Sequence, residues 1–277
     1  MECSRIDGCF VGLFYAGCDM MDKIKELYFY REMIINLVRK DLRTRYKGSI
    51  LGFLWTFVNP LLQLLIYSVV FSYVMRMQMD HYYMFMFVGL IPWMFFCASV
   101  QGGATAIVSG ADLVKKIYFP RLVLPIAVVS AAFMNMLFSM VVMFAALFYS
   151  GLGISLSIVY LSIALLIIYM IGLGLAFFFS AINVYFRDME HILGIVTMSL
   201  FYATPIIYPV SMVPERLLGW FRFNPMFSVI CTFHDILYYQ RPPDMGLLLN
   251  DLTIAVVILV VGSVVFFKLE KNFVEEL

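Results

Sequence analysis

The stretch LVRKDLRTRYKGSILGFLWTFVNP, Leu37 to Pro60, decides the fold. Five basic residues and Asp41 crowd the nine positions from Arg39 to Lys47, and from Gly48 onward no charge appears until Arg76. Ile50 to Met75 is 26 residues without Asp, Glu, Lys, Arg or His. About 20 apolar residues cross the roughly 30 Å of a bilayer's hydrocarbon, so this run spans with some tilt. The cations in front of it mark a membrane surface rather than a nucleic-acid patch, because nine of the 19 Lys and Arg lie before residue 50, hard against the span.

The rest of the chain repeats the pattern. It is 63% hydrophobic and 13% charged, about half the charged share of a soluble domain. Tyr82 to Ala111 is a second charge-free run, and Leu122 to Phe186 is 65 residues with neither charge nor histidine, enough for a hairpin that turns at SGLGIS, Ser150 to Ser155. Ile192 to Val210 carries Pro205 and Pro209, and a last run covers Leu247 to Phe267 with Asp251 near one end. Such long runs without alternating polarity are helices, since lipid leaves backbone groups no outside partner. The expected fold is an all-α integral membrane bundle of six transmembrane helices, at about 50–75, 83–109, 122–149, 155–181, 192–210 and 247–267, within a unit covering 48–277. With six spans both ends of the chain share a side. Fifteen basic residues fall on that side and four (Arg76, Arg216, Arg222, Arg241) on the other, which places both termini in the cytoplasm.

Residues 1–22 are read as a leader or disordered extension, with Met20 or Met21 as an alternative start; Tyr15 sits where a lipoprotein cleavage site wants a small aliphatic residue. Residues 23–47 form an amphipathic helix too polar to insert: at 100° per residue, Ile24, Leu27, Tyr28, Ile34, Ile35, Val38, Leu42 and Tyr46 fall within an arc of about 120°, broken by Arg31 and Arg45. It lies along the cytoplasmic interface as an anchor. Its exposed basic face, with Arg39 and Arg43, is open to a cytoplasmic partner. Within the first span Pro60 cannot donate to the Thr56 carbonyl. Phe53, Phe57, Tyr67 and Phe71 share one face about 80° wide, suited to packing, to lipid, or to the wall of a path along which rings meet sugar C–H faces. The five cysteines include no CxxC pair, which supports neither a zinc site nor a disulfide framework.

Three stretches are more specific: LVRKDLRTRYKGSILGFLWTFVNPLL at Leu37–Leu62, LVKKIYFPRLVLP at Leu113–Pro125, and NVYFRDMEHILGIVTMSLFYATPIIYPVSMVP at Asn183–Pro214 followed by FNPM at Phe223–Met226. In this order, among six spans, they resemble the permease subunits of ABC-type polysaccharide exporters, which move O-antigens, capsular polysaccharides and teichoic acids. The resemblance covers about Lys23 to Lys271. It implies a homodimer paired with two copies of a separate ATPase in the bacterial inner membrane, around a channel for a lipid-linked glycan. No GxxxxGK[ST] phosphate loop occurs here, so ATP and magnesium belong on the partner and this chain binds no cofactor.

The same resemblance assigns sites. The motor contact is ADLVKKIYFP, Ala111 to Pro120, where Asp112, Lys115 and Lys116 flank an apolar knob of Leu113, Ile117 and Tyr118. The loop with Arg187, Asp188 and Glu190 is a motor-side or inner-gate element rather than a carboxylate active site, because it lacks a ligand cluster. Short re-entrant outer helices are expected between spans five and six, with Pro205, Pro209 and Trp220 at an outer gate. A polytopic enzyme acting on lipid-linked sugars, or an ion-coupled transporter, would want ionisable groups at mid-membrane, and spans one to four have none. An ABC permease for a drug or small lipid is opposed by the motifs alone.

Overall fold

The computed structural model describes residues 26–46, 48, 51–71, 79–153, 155–221 and 224–277. The expected leader, the first residues of the interface helix and the end of the first span (72–75) lie outside them. The described residues are helical throughout, without a strand: α1 Arg31–Tyr46, α2 Trp55–Val69, α3 Tyr82–Ser109, α4 Ala111–Lys116, α5 Val123–Tyr149, α6 Leu161–Tyr185, α7 Met189–Tyr202, α8 Glu215–Phe221, α9 Pro225–Leu237, α10 Met245–Leu269 and α11 Phe273–Glu276. Short 3-10 turns lead into α2 and α6.

Five of these segments are long and apolar enough to cross a bilayer: Gly52–Val69, Tyr82–Lys116, Val123–Tyr149, Leu156–Tyr185 and Met245–Asn272. The expected fifth span, 192–210, differs. Its helix α7 stops at Tyr202 after 14 residues, which is about 21 Å of rise. Pro205 has no N–H to continue the ladder and drives the preceding Thr204 out of helical geometry, so the apolar run goes on as irregular chain. That chain nevertheless reaches the far end of the bundle, where the Tyr82 hydroxyl donates to the Ile207 carbonyl at 2.7 Å.

α3 and α6 form the centre. Nineteen of the 28 residues of α3 are buried, the mark of a helix apolar all round. α6 packs against α3 on one side and α10 on the other, and α5 covers α3. Small residues set these distances. A Cβ on Gly103 of α3 would lie 2.4 Å from Ala176 Cβ of α6, and one on Gly262 of α10 would lie 2.0 Å from the Gly174 carbonyl oxygen of α6. Close backbone approach of this kind is how helices associate where lipid supplies no hydrophobic drive between them. The α5–α6 turn uses Gly151 and Gly153 at φ +77° and +66°, angles that a Cβ disfavours.

α2 is the outlier, with only Thr56 and Pro60 buried. Its helix runs on through Pro60, which cannot donate to the Thr56 carbonyl; the Ser139 hydroxyl of α5, which donates to Asn135 O at 3.0 Å, also comes within 3.4 Å of that carbonyl, the kind of side-chain contact that accommodates a proline inside a membrane helix. Elsewhere Leu54, Leu61, Leu65, Ile66 and Val69 are exposed.

The helices' two ends differ in charge. Leu27, Tyr30, Met33, Ile34 and Leu37 pack with Phe177, Val184, Phe266 and Phe273 in a second core at one end. The described start and end of the chain therefore meet there, together with Lys115, Lys116, Arg121 and Lys271. This is called the basic end below. On the packed side of the entry helix, Leu27 and Ile34 of the expected stripe are joined by Tyr30, Met33 and Leu37, while Tyr28 and Ile35 of that stripe are 69% and 40% exposed. The helix has apolar residues on two neighbouring faces, and the bundle takes the one that carries Leu27, Ile34 and Leu37.

Candidate functional site

At the basic end, α4 is one and a half turns long. Asp112 in its first turn and Lys115 and Lys116 in its last suit the helix dipole. It then passes into extended chain at Ile117. Val114 and Phe119 are buried, and Leu113 is partly buried against the basic-end core. Leu113 is thus removed from the expected knob, since its side chain already has a partner. What projects is Ile117 and Tyr118, 53% and 91% exposed, rimmed by the exposed Asp112, Lys115 and Lys116. Leu113 also shares a recess of about 200 Å³ with Leu37, Lys40, Asp41 and Thr44. Displacement of α4 would therefore be felt directly by α1.

Arg39 and Arg43 are exposed on α1 and border a recess of about 640 Å³ with Asn36, Lys40, Thr44, Gly52 and Phe53. The loop between α6 and α7 puts Arg187 and Asp188 into another recess with Tyr185 and Glu276, while Glu190 is exposed in the first turn of α7. Tyr185 ties this loop to the last span by donating to the Leu269 carbonyl at 3.1 Å. The aromatic face of the first span turns toward neighbouring helices: Phe53 stands edge-on to Phe57 and Phe138 at 5.4 and 5.2 Å, Tyr67 lies 5.6 Å from Phe201, and Phe71 packs on the main core.

The opposite end is built from α8, α9 and the irregular chain between α7 and α8. Asn224 is the organising residue. Its Oδ1 accepts from Met226 N at 3.0 Å, capping α9 ahead of Pro225, and its Nδ2 donates to Thr204 Oγ1 at 2.7 Å, all of it buried. An Asn cap followed by proline is a strong helix start. His234, also buried, stacks on Phe85 at 3.9 Å between centroids, and its Nε2–H donates to the Phe85 carbonyl at 2.9 Å. Burial pushes this imidazole down to about 4, so the ring is neutral at physiological pH. Ser228 donates to the buried Asp251, fastening α9 to α10, and Tyr238 donates to the Asp80 carbonyl. Gln101 of α3 holds α7 by donating to Thr197 Oγ1 at 2.8 Å. Pro205 and Pro209 come together at a cavity at this end, whereas Trp220 is 76% exposed on α8.

Sequence reasoning named neither Asn224 nor His234. The Asn-Pro pair carried the cap's signature, but the partner Thr204, twenty positions earlier, carried none. Asn224→Ala removes both bonds, and the expected loss is about 0.5–2 kcal/mol from the cap, plus that of the bond to Thr204, whose hydroxyl keeps its own bond to the Leu200 carbonyl at 2.6 Å. The measurement is thermal unfolding of the detergent-purified protein; an unshifted midpoint would show that the cap does not organise this end.

Residues 32–238 match the family model described as ABC-2 type transporter. The O-antigen export system permease protein RfbA of Myxococcus xanthus is 38% identical over 260 residues, 93% of this chain and 100% of that protein. Its namesake in Klebsiella pneumoniae is 34% identical over 246 residues, 88% of this chain and 94% of the relative. The polysialic acid transport protein KpsM of Escherichia coli is 28% identical over 203 residues, 70% and 76% of the two chains. With most of its helices inside the matched region and full-length relatives above 30% identity, the chain belongs to the ABC-2 type transporter family.

Proposed function

We propose that this chain is the permease subunit of an ATP-driven exporter that carries a lipid-linked polysaccharide across the bacterial inner membrane. The carrying observation is the 38% identity along the whole length of an O-antigen export permease. The working unit is a homodimer with two copies of a separate ATPase, and both termini are cytoplasmic, so the basic end faces the cytoplasm and α8 and α9 lie at the outer side. Five long helices and the shorter α7, completed by residues 203–207, make six traverses. The exposed apolar face of α2 is covered by the second copy or by lipid, and the open face of α1, with Tyr28 and Ile35, rests on the inner leaflet. ATP-driven closure of the partner pushes on Ile117 and Tyr118, and Leu113 passes that push to α1 and the first span. This subunit performs no covalent chemistry.

Deleting the gene should abolish display of the cell's surface glycan and leave the polymer inside, with recovery from a plasmid copy. Wild-type display in the deletion strain would refute the assignment.

A further inference from the structure

One cavity has no part in the motor contact. It lies at the end opposite the basic one, holds about 480 Å³, and is enclosed by the chain around Pro205–Ser211, α8, α9 and the start of α10. Its volume is within the roughly 300–1,000 Å³ of small-ligand sites. Asp235 projects from α9 into it with its side chain 17% exposed, and Arg241 closes on that carboxylate at 2.6 and 2.8 Å. Both contacts fall on Oδ1. Among the described residues no hydrogen bond reaches Oδ2, so its lone pairs stay available. Asn250, exposed one turn into α10, adds an amide, and Tyr239 and Phe227 add ring surface.

This set selects among ligands. An anion is disfavoured, because the one guanidinium is already neutralised by Asp235. A wholly apolar guest would shield the remaining Oδ2 of Asp235 from water without giving it a donor, at about 1–3 kcal/mol. A neutral polyol fits both: planar carboxylate, guanidinium and amide groups each bind vicinal hydroxyls, and a ring covers the apolar C–H face.

The geometry points to a saccharide subsite in this cavity, in which Asp235, Arg241 and Asn250 bind the hydroxyls of a neutral sugar unit and Tyr239 packs against its face. The identification of that sugar with the departing glycan rests on the export function proposed above. Held at the outer side, one unit of the chain would be kept from slipping back while the motor resets.

The test uses the full chain in nanodiscs and, as probe, the neutral oligosaccharides released by mild acid from the surface glycan of the strain that carries the gene. Saturation-transfer NMR should show transfer to the sugar protons. Asp235→Ala should weaken binding about tenfold, as loss of a hydrogen bond to a charged group does. Asn250→Ala lies at an exposed position where the fold is not at stake and should weaken it as well, while Leu156→Ala, on the α5–α6 turn, should bind as wild type. Absence of transfer in the wild type, wild-type affinity in both cavity variants, or displacement by glycerol 1-phosphate would each overturn the subsite. Deletion that abolishes glycan display, together with unchanged binding in both variants, would remove the subsite and leave export standing.

Discussion

Gly262→Leu should yield a protein that inserts into the membrane and fails to assemble its bundle. At Gly262 the α6 and α10 backbones already touch: a Cβ there would lie 2.0 Å from the Gly174 carbonyl oxygen, and a Cβ on Gly174 would lie 2.7 Å from the Ile258 backbone. No rotamer relieves an overlap with backbone, so the helices must separate along the seam that holds them. Lipid offers no hydrophobic return for the lost packing. The expected destabilisation is at or above the upper end of the ~1–3 kcal/mol usual for overpacking. Size-exclusion profiles and thermal denaturation in detergent should show aggregation or a strongly lowered midpoint. Gly194→Leu on α7 is the control, because nothing lies within 4 Å of its Cβ position. Equal behaviour of the two variants would mean that the α6–α10 crossing does not set the fold.

Tyr118→Asp should leave that fold intact and cut the permease off from its ATPase. The ring is 91% exposed and holds none of the core in place, so a charge there costs the monomer little. In a partner's groove the same charge meets an apolar wall. An aromatic anchor at an interface centre is worth about 2 kcal/mol or more, roughly a 30-fold loss of affinity. Co-purification with the ATPase and permease-stimulated ATP hydrolysis should both fall, with normal thermal stability. Leu113→Asp should instead lower stability first, because Leu113 belongs to the basic-end core. Unimpaired co-purification of Tyr118→Asp would move the motor contact elsewhere, with the α1 face of Arg39 and Arg43 the next place to look.

The sequence made some of these elements legible and hid others for physical reasons. Charge-free runs of bilayer length pointed to long apolar helices, of which the described residues hold five, because lipid penalises any charge within them. The same signal overran at Ile192 to Val210: apolarity marks burial or lipid, and only Pro205 speaks to helicity. That Pro60 cannot donate to the Thr56 carbonyl could be foreseen, since that effect is local. The donor, Ser139, could not, because 83 positions separate the two. In ADLVKKIYFP the apolar residues are visible, yet which of Leu113, Val114, Ile117, Tyr118 and Phe119 faces inward depends on where α4 ends. The extended backbone at Ile117 makes that choice. Nothing in the sequence links Asp235 to Arg241, and only the turn at the end of α9 brings the two onto one cavity.

The basic-end core has a consequence for biogenesis. It joins Leu27, at the start of the described chain, to Phe266, near the end of the last span, and to Phe273, just after it. A polypeptide emerging from the ribosome presents α1 long before its last partners exist, so the entry helix must wait while four long helices and α7 are laid down. The last span then arrives and seals the cluster. A chain stalled or truncated before Phe266 lacks the Phe266 and Phe273 side of that cluster, a ready signal for quality-control proteases to tell finished permeases from unfinished ones.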